Sequence, residues 1–256
     1  MRTALITGAS AGIGKELAIQ FAKNNINLIL IARRENILQQ IVADITSRYA
    51  VQVKYYQCDL TDISQIDKLV NQLAQDQVAI NYLVNNAGMG TFGAFDTIPW
   101  KSVSDVIQLN IIAPTYLTKR FLNELASKTE VKILNVASTS AFQPVPNLAV
   151  YAATKAYVLF FSEALSVELY KRNISLTTLC PPETETDFLS SSGLSNVSRI
   201  SKSKLPTATQ IAEYGFKKLM ENKRLAIYGF KNKMMLFVQR FVPKTMVLKI
   251  AANLFK

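Results

Sequence analysis

Short apolar segments rich in β-branched residues alternate with longer segments of helical periodicity, and this alternation restricts the fold more than any other feature. Some short segments are apolar without a break, as in Leu28–Ile31, which is typical of strands covered on both faces. The predicted strands are Thr3–Thr7, Asn27–Ala32, Val51–Cys58, Ile80–Asn85, Lys132–Ala137, Ser175–Cys180 and Leu225–Tyr228. The alternation predicts an α/β fold, a doubly wound parallel sheet of about seven strands with helices on both faces.

Apolar periodicity marks two of the intervening helices. The first repeats apolar residues at helical spacing from Ile13 to Phe21. The third does so from Ile66 to Leu73, and Asp62 stands where its carboxylate can cap the first turn. Both helices are therefore expected to bury one face against the sheet.

The chain shows no internal division. Its 256 residues are 49% hydrophobic and 18% charged, so it is long enough to bury a core and too apolar to be disordered. We find no repeat, low-complexity segment or linker that would separate a second domain. The least regular stretch is Pro181–Pro206, and long loops often bind ligands. We expect one domain over residues 1–230, with a substrate loop over 188–205, and an extension over 231–256.

Composition excludes several classes of site. The chain has no histidine, which removes Ser-His-Asp hydrolysis and His-ligated zinc, and we expect no metal. Two cysteines, Cys58 and Cys180, cannot form a disulfide framework and favour a reducing compartment. No apolar run approaches the roughly 18 residues of a membrane span, and Met1–Thr7 leads into a turn rather than a signal peptide core. We expect a cytoplasmic protein.

The predicted strand Thr3–Thr7 runs directly into a glycine-rich turn that spans Gly8 to Gly14 and opens a helix. Glycine permits positive φ and close backbone approach to phosphate, and the helix N-terminus supplies N–H donors for a pyrophosphate. A P-loop is excluded, because Gly8 and Gly14 are six apart and Lys15 is followed by Glu16. The alternative is a tight turn with no ligand.

The turn reads T-G-x-x-x-G-x-G, and with it the sequence resembles the short-chain dehydrogenase/reductase family, in its single-domain branch, over essentially all of residues 1–230. The motifs that carry the resemblance are Thr7–Gly14, Asp59-Leu60, Asn85–Gly88, Asn110, Ser138, Tyr151-x-x-x-Lys155 and the Pro181 region. Each motif is short, but their order on a matching strand and helix pattern is specific.

This resemblance implies a Rossmann-type fold, a nicotinamide cofactor and a homo-oligomer that transfers hydride between the cofactor and a carbonyl or alcohol. It implies that Asp59 contacts the adenine amino group and that Asn86, Ala87 and Gly88 line the adenine ribose. The cofactor-binding residues expected on this basis are Gly8, Ser10, Gly12, Ile13, Gly14, Arg33, Arg34, Asp59, Leu60, Asn86, Ala87, Gly88, Tyr151, Lys155, Pro181, Thr184 and Thr186. Without the resemblance, Asp59 could equally be a turn residue.

The end of the second predicted strand indicates which nicotinamide cofactor is bound. A carboxylate there usually holds the ribose 2′-hydroxyl of NAD, whereas an arginine accommodates the 2′-phosphate of NADP. Here the strand ends in Arg33 and Arg34, with Glu35 only after them. A guanidinium can bind a phosphate through two hydrogen bonds, so we predict NADP(H). The alternative is that both arginines are simply solvated at a helix start.

Tyr151 and Lys155 are four residues apart, which places them on one face of a helix. A free phenol has a pKa of about 10, and we expect the Lys155 ammonium to lower the pKa of Tyr151 toward neutrality. Tyr151 would then protonate the carbonyl oxygen as hydride reaches carbon, with Ser138 as second donor. The resemblance also implies that Lys155 contacts the nicotinamide ribose and that Asn110 joins a proton relay through water.

Each catalytic candidate has a structural alternative. A Tyr-x-x-x-Lys pair is common on helices, a serine after a strand is often a turn residue, and Asn110 could cap the helix that follows it. Their occurrence together favours an intact site. A second function is an NADP(H)-binding regulatory or membrane-surface scaffold protein without catalysis. Retention of Ser138, Tyr151 and Lys155 counts against it.

One position departs from the pattern of the family. After the sixth strand the family usually has Pro-Gly, but here Pro181 is followed by Pro182. Proline fixes φ near −65° and lacks an N–H, so a turn that needs positive φ cannot form there. Thr184 and Thr186 still stand where the family contacts the nicotinamide amide and phosphate. We expect the substitution to alter the loop more than the chemistry.

Apolar residues near the predicted site favour a lipophilic ketone, aldehyde or 3-oxoacyl substrate. The side wall is expected over Gly90–Phe95. The candidate lining residues are Met89, Phe92, Phe95, Phe142, Val145, Phe188 and Leu189. Such residues also occur in protein cores, which is the alternative for each of them.

The net charge of +11 belongs almost entirely to the C-terminal fifth. Residues 1–200 hold 17 basic and 16 acidic side chains, whereas residues 201–256 hold 12 and 2. Val247, Ile250, Ala251 and Leu254 fall on one face of a predicted helix. The extension could pack on the domain, cover the active site, or make peripheral contact with an anionic membrane. No nucleic acid is expected, because the basic residues are spaced among apolar ones.

Overall fold

The computed structural model describes residues 2–127, 129–194 and 205–254, and these form a central sheet with helices on both sides. The strands are β1 (Thr3–Thr7), β2 (Asn27–Ala32), β3 (Val53–Gln57), β4 (Tyr82–Asn85), β5 (Val131–Val136), β6 (Ile174–Cys180) and β7 (Leu225–Ile227). They pair in parallel in the order β3-β2-β1-β4-β5-β6-β7. The predicted doubly wound α/β fold is confirmed.

Helices connect the strands and cover both faces of the sheet. They are α1 (Gly12–Lys23), α2 (Glu35–Arg48), α3 (Ile63–Gln75), α4 (Trp100–Ile107), α5 (Ala113–Arg120), α6 (Ala149–Glu168), α7 (Asp187–Ser191), α8 (Ala208–Met220), α9 (Phe230–Gln239) and α10 (Lys244–Leu254). Two π-helical turns, Gln108–Ile112 and Phe121–Leu125, follow α4 and α5 directly. The extension predicted beyond residue 230 therefore contains two short helices, and no described helix has both the length and the apolar character needed to cross a bilayer.

Burial on both faces explains the unbroken apolar strands. Along β2, Leu28 and Leu30 belong to the core on one side of the sheet, whereas Ile29 and Ile31 belong to the core on the other. All four side chains are almost fully buried. Because neither face of the strand meets water, the period-2 alternation of a half-exposed strand disappears.

The ends of two strands differ from the prediction. The strand predicted to start at Val51 starts at Val53, because the Val51 amide donates to the Tyr49 carbonyl and not to the ladder. Ile80 precedes β4 and makes only an isolated bridge to Ala126. The other predicted strands agree to within one residue.

The cap predicted for α3 is confirmed, and both cysteines lie in the core. The Asp62 carboxylate caps α3 by accepting from the Ser64 amide at 2.9 Å. Cys58 and Cys180 are buried and unbridged. Burial raises the pKa of the Cys58 thiol to about 11 and that of Cys180 to about 12, so both thiols stay protonated at neutral pH.

The topology determines where a ligand can bind. In the sheet, β1 lies between β2 and β4, so the chain reverses its direction of travel across the sheet at β1. Crevices at such a switch point, outside the carboxyl ends of the strands, are the usual ligand sites of open parallel sheets. The glycine turn follows β1 directly, and a cavity of about 570 Å³ opens at this edge.

Candidate active site

The glycine turn after β1 has the close packing that only glycine allows. Gly8 and Gly12 have φ of +66° and +52°, in the left-handed region. A Cβ on Gly14 would overlap the Gly8 carbonyl oxygen and the Asn86 amide nitrogen, and one on Gly8 would lie 2.8 Å from Ala87 Cα. The N-cap residue of α1 is Ala11, whose methyl group cannot cap the helix, so the first amides are left facing the cavity edge.

Thr7 ties this turn to the loop after β4. Its hydroxyl donates to the Val84 carbonyl at 3.2 Å and accepts from the amides of Asn86 and Ala87, each at 3.0 Å. The Asn86 side chain completes the connection by donating to the Thr7 carbonyl at 3.0 Å and to the Gly8 carbonyl at 3.3 Å. The carboxyl ends of two neighbouring strands are therefore held as one unit.

Two arginines face the cavity at the end of β2. Arg33 and Arg34 both line it, and Arg34 Nη2 donates to Ser10 Oγ at 3.1 Å, across the glycine turn. The Glu35 carboxylate instead accepts from the Tyr55 hydroxyl at 3.5 Å. This end of the cavity is therefore cationic.

Asp59 forms a local turn at the end of β3. Its Oδ1 accepts from the amide and the hydroxyl of Thr61, at 3.0 and 2.9 Å. The residue also lines the cavity, beside Leu60. Turn and ligand roles are thus compatible at this position.

The catalytic candidates lie at the middle of the cavity. Ser138 follows β5, and its Oγ accepts from the Ser140 amide at 3.1 Å and from the Ser140 hydroxyl at 2.8 Å. The Tyr151 hydroxyl, on α6, lies near the side chains of Ser138 and Ser140. Lys155 lies one turn further along α6, with Nζ 5.8 Å from the centre of the Tyr151 ring. Ser140 was missed by sequence reasoning, although it stands two residues from Ser138.

Asn110 lies behind the cavity and not in its wall. It sits in the π-helical turn after α4, so it does not cap a helix, and it is 1% exposed. Its amide group accepts from the Met89 amide at 3.0 Å and donates to the Met89 carbonyl at 2.9 Å and to Thr154 Oγ1 at 3.0 Å. The side chain therefore fixes the loop after β4. Gly14 is likewise outside the lining, since it packs behind Gly8.

Burial raises the pKa of Tyr151 to about 12, with a smaller contribution from the Glu183 carboxylate and against the lowering effect of Ser138 and Ser140. The expectation that Lys155 lowers the pKa of Tyr151 is therefore wrong for this state of the protein. The Lys155 ammonium donates instead to the Val136 carbonyl at 2.9 Å. Burial lowers the pKa of Lys155 to about 8.

The lowered pKa of the buried Lys155 predicts that the free energy of unfolding depends on pH. Below pH 8 the folded protein carries the full cost of a buried ammonium. Between pH 8 and 10.5 the unfolded chain holds the proton and the folded protein releases it, so the free energy of unfolding rises, on the order of 3 kcal/mol. In urea unfolding without added nucleotide, the free energy of unfolding of wild type should show this rise with pH, and that of Lys155→Met should not. Curves that stay parallel from pH 7.5 to 10 would contradict the assignment.

The loop after β6 tolerates the second proline. Pro182 lines the cavity and is not among the residues with positive φ. Its carbonyl accepts from the buried Thr184 hydroxyl at 2.8 Å, and the Thr186 hydroxyl donates to the Thr184 carbonyl at 3.3 Å. The Pro181 carbonyl accepts from the Thr139 amide at 2.9 Å, which joins the loop to the segment after β5.

The far end of the cavity is apolar, but its lining differs in part from the prediction. Met89, Val145, Phe188 and Leu189 line it as expected. Three aromatic candidates do not: Phe92 packs beside the wall, Phe95 is 61% exposed at a separate recess, and Phe142 packs against the core beneath α6. Of the predicted loop over 188–205, residues 195–204 lie outside the described residues.

Several lining residues were missed by sequence reasoning. Leu148 completes the apolar wall beside Leu194, which lies in the predicted substrate loop, and Asn232, Met235 and Leu254 reach it from α9 and α10. A hydrogen bond from Gln239 Nε2 to the Phe142 carbonyl, 3.0 Å long, holds α9 against the domain. Apolar periodicity at the C-terminus could have indicated a packed helix, but nothing in the sequence places it at the cavity.

A family model and several curated relatives match most of this chain. A family model described as short chain dehydrogenase matches residues 2–195. A very-long-chain 3-oxoacyl-CoA reductase from Bos taurus is 31% identical over 182 residues, which are 70% of this chain and 58% of the relative. A fatty acyl-CoA reductase from Acinetobacter baylyi is 31% identical over 192 residues, 73% of this chain and 64% of the relative. The chain spans little more than half the length of several such relatives.

Solved structures share the fold. A short-chain dehydrogenase from Sphingobium yanoikuyae in complex with NADPH matches with a TM-score of 0.82 and 28% identity, over 94% of each chain. A bulky-bulky ketone specific alcohol dehydrogenase from Comamonas testosteroni matches with a TM-score of 0.77 and 28% identity, over 94% of this chain and 92% of the other.

Proposed function

The chain is a member of the short-chain dehydrogenase family, and on that premise we propose that it is an NADP(H)-dependent oxidoreductase acting on a lipophilic carbonyl or alcohol. The observation that carries the proposal is the meeting of Ser138, Tyr151 and Lys155 in one cavity with the glycine turn. A turn that binds phosphate and a phenol that can move a proton are both needed for hydride transfer to a carbonyl.

The residues present fit a nicotinamide dinucleotide. Gly12 leaves the backbone of the turn accessible, whereas a Cβ at this position would contact the Thr186 side chain. The start of α1, which its N-cap residue does not cap, offers N–H donors to a pyrophosphate. When bound, the nicotinamide supplies or accepts the hydride. Gly8, Gly12 and the α1 amides would hold the phosphates, with Asp59 and the Asn86–Gly88 segment at the adenosine.

Three side chains then provide the acid–base chemistry. Tyr151 donates its proton to the substrate oxygen in reduction and takes it back in oxidation. Ser138 donates a second hydrogen bond to the same oxygen, so that developing negative charge is stabilised. Lys155, which is held by the Val136 carbonyl, would orient the cofactor ribose. Asn110 has a positioning role, since its hydrogen bonds to Met89 and Thr154 hold the loop that faces Tyr151.

The cationic end of the cavity supports NADP(H) over NAD(H). Arg33 and Arg34 line the cavity on the side of Ser10, and the Glu35 carboxylate contacts Tyr55. A 2′-phosphate at this point would meet two guanidinium groups and no carboxylate from the end of β2. Since structural relatives include both NADPH and NAD complexes, the preference needs its own test.

Exchanging Arg33 and Arg34 for glutamine should remove the proposed preference for NADPH over NADH. We expect Arg33→Gln with Arg34→Gln to lower kcat/KM for NADPH by at least about tenfold and to change that for NADH by less than about threefold, since only the phosphate contacts are lost. Steady-state kinetics with both cofactors measure this. The matched control is Arg48→Gln with Arg172→Gln, which removes two exposed arginines elsewhere. An equal loss with both cofactors would contradict the assignment.

The apolar end of the cavity supports a lipophilic substrate. Met89, Val145, Leu148, Phe188, Leu189 and Leu194 offer no charge to a substrate. The relatives named for 3-oxoacyl-CoA and fatty acyl-CoA reduction favour a ketone, an aldehyde or a 3-oxoacyl group. We propose in addition that the protein works in the cytoplasm as a homo-oligomer, with a small-molecule substrate and no nucleic acid as partner.

A substrate panel tests the proposed function. NADPH oxidation is followed with ketones, aldehydes and 3-oxoacyl thioesters of increasing chain length. We expect kcat/KM to rise with chain length, because each CH₂ buried in the apolar wall contributes about 0.8 kcal/mol. Tight NADPH binding with no turnover of any carbonyl would favour the non-catalytic alternative instead.

A further inference from the structure

A stripe of exposed apolar side chains runs along α9 and just past its end. Phe230, Met234, Phe237, Val238 and Phe241 follow at helical spacing. All are exposed, and Phe230 and Phe241 reach 76% and 75%. Soluble monomers rarely leave so many large apolar side chains together in water, so this stripe indicates a contact surface.

A second stripe follows on α10. Met246, Ile250 and Leu254 are four residues apart and exposed, whereas Ala251 is buried. The helical face predicted for α10 is thus only partly buried, since Ile250 and Leu254 remain exposed. We call the two stripes together, on α9 and α10 and at Phe241, the C-terminal apolar surface.

Charge selects the partner of this surface. Between Phe230 and Leu254 the chain has five basic residues and no Asp or Glu. The five are Lys231, Lys233, Arg240, Lys244 and Lys249, all exposed. A second copy would bring the same cations against them, and a nucleic acid would leave aliphatic side chains such as Met234 and Ile250 in water. An anionic lipid surface matches both the apolar and the basic side chains, because acyl chains cover the former and headgroup phosphates pair with the latter.

We propose that α9 and α10 dock in the plane of an anionic membrane through the C-terminal apolar surface. Both helices are far shorter than a span, so they lie in the interface. The same helices supply Asn232, Met235 and Leu254 to the cavity wall. The cavity therefore opens next to the docked surface, and a lipophilic substrate, if the proposed function holds, enters from the bilayer.

Vesicle flotation of the full chain tests docking without reference to activity. Wild type should float with phosphatidylcholine vesicles that contain 30% phosphatidylglycerol and bind pure phosphatidylcholine at least tenfold more weakly. Phe230→Ser with Phe241→Ser should lower binding at least tenfold, whereas Phe95→Ser with Tyr170→Ser, which also removes two exposed aromatics, should not. None of these four residues lines the cavity.

The charge component is tested separately. Each basic residue near an anionic surface contributes roughly a fivefold factor, so Lys244→Gln with Lys249→Gln should lower binding to anionic vesicles at least about tenfold. Lys68→Gln with Lys171→Gln removes the same net charge elsewhere and should have little effect. Equal binding to both vesicle types, no flotation of wild type, or a fall in oligomeric mass as the sole effect of the phenylalanine changes would overturn the proposal.

Discussion

Tyr151→Phe is expected to lower carbonyl reduction about 10³-fold, within the range by which a positioned general acid accelerates a reaction. The change removes one oxygen and leaves the ring against Phe188, where the ring centres are 5.3 Å apart. NADPH affinity should therefore change by less than about threefold, and the loss should appear in kcat. Stopped-flow single turnovers with a saturating ketone, together with fluorescence titration of NADPH, measure the two quantities.

The matched control for this variant lies on the same helix. Tyr157 is also on α6, and its hydroxyl contacts Thr115 Oγ1 at 3.1 Å outside the cavity. Tyr157→Phe should retain kcat within about twofold, because a typical neutral hydrogen bond contributes only about 1 kcal/mol to stability and none here to the reaction. A Tyr151→Phe protein that turned over like wild type would remove Tyr151 from the proposed mechanism.

Gly14→Ala is expected to cost about 3 kcal/mol of folding free energy or more, at the upper end of overpacking effects. The added methyl group would overlap the Gly8 carbonyl and the Asn86 side chain, and neither can retreat, because each is part of the contact between β1 and β4. NADPH affinity should fall about 100-fold, since the turn must open to make room. Thermal unfolding and NADPH titration measure both effects.

Gly12→Ala gives the internal comparison. Its methyl group would meet the Thr186 side chain at 3.1 Å, which can move, although the φ of +52° adds strain on the order of 1 kcal/mol. We expect a smaller loss of thermal stability than for Gly14→Ala. If the two variants ranked in the opposite order, backbone conformation and not close packing would be the main constraint on this turn.

The fold and the central residues of the site could be predicted because their signals are local. Burial on both faces leaves an unbroken apolar run such as Leu28–Ile31, and a side chain placed just after a parallel strand reaches the ligand edge. The four-residue spacing of Tyr151 and Lys155 fixes their common face before any tertiary contact is known. Strand ends were less certain, since ladder bonds at Val51 and Ile80 depend on neighbouring segments.

Features that depend on distant contacts could not be predicted. The pKa of Tyr151 follows from its burial, which sequence does not reveal, and it outweighs the spacing to Lys155. Phe95 and Phe142 are of a residue type that often lines apolar pockets, yet neither side chain lines the cavity. Leu254 reaches the wall from the opposite end of the chain, about a hundred residues beyond Tyr151, without any pattern that connects them.

The cavity wall is assembled from separate parts of the chain, and this has a consequence for laboratory evolution. The glycine turn and the arginines after β2 come from the first quarter, the proton-transfer groups from Ser138 to Lys155, and much of the apolar wall from α7, α9 and α10. Mutations in distant, non-contacting groups usually combine additively. A library confined to Asn232 and Met235, which line the cavity but lie outside the apolar cluster around Tyr151, can therefore search for new substrates while the parts that serve every substrate are left intact.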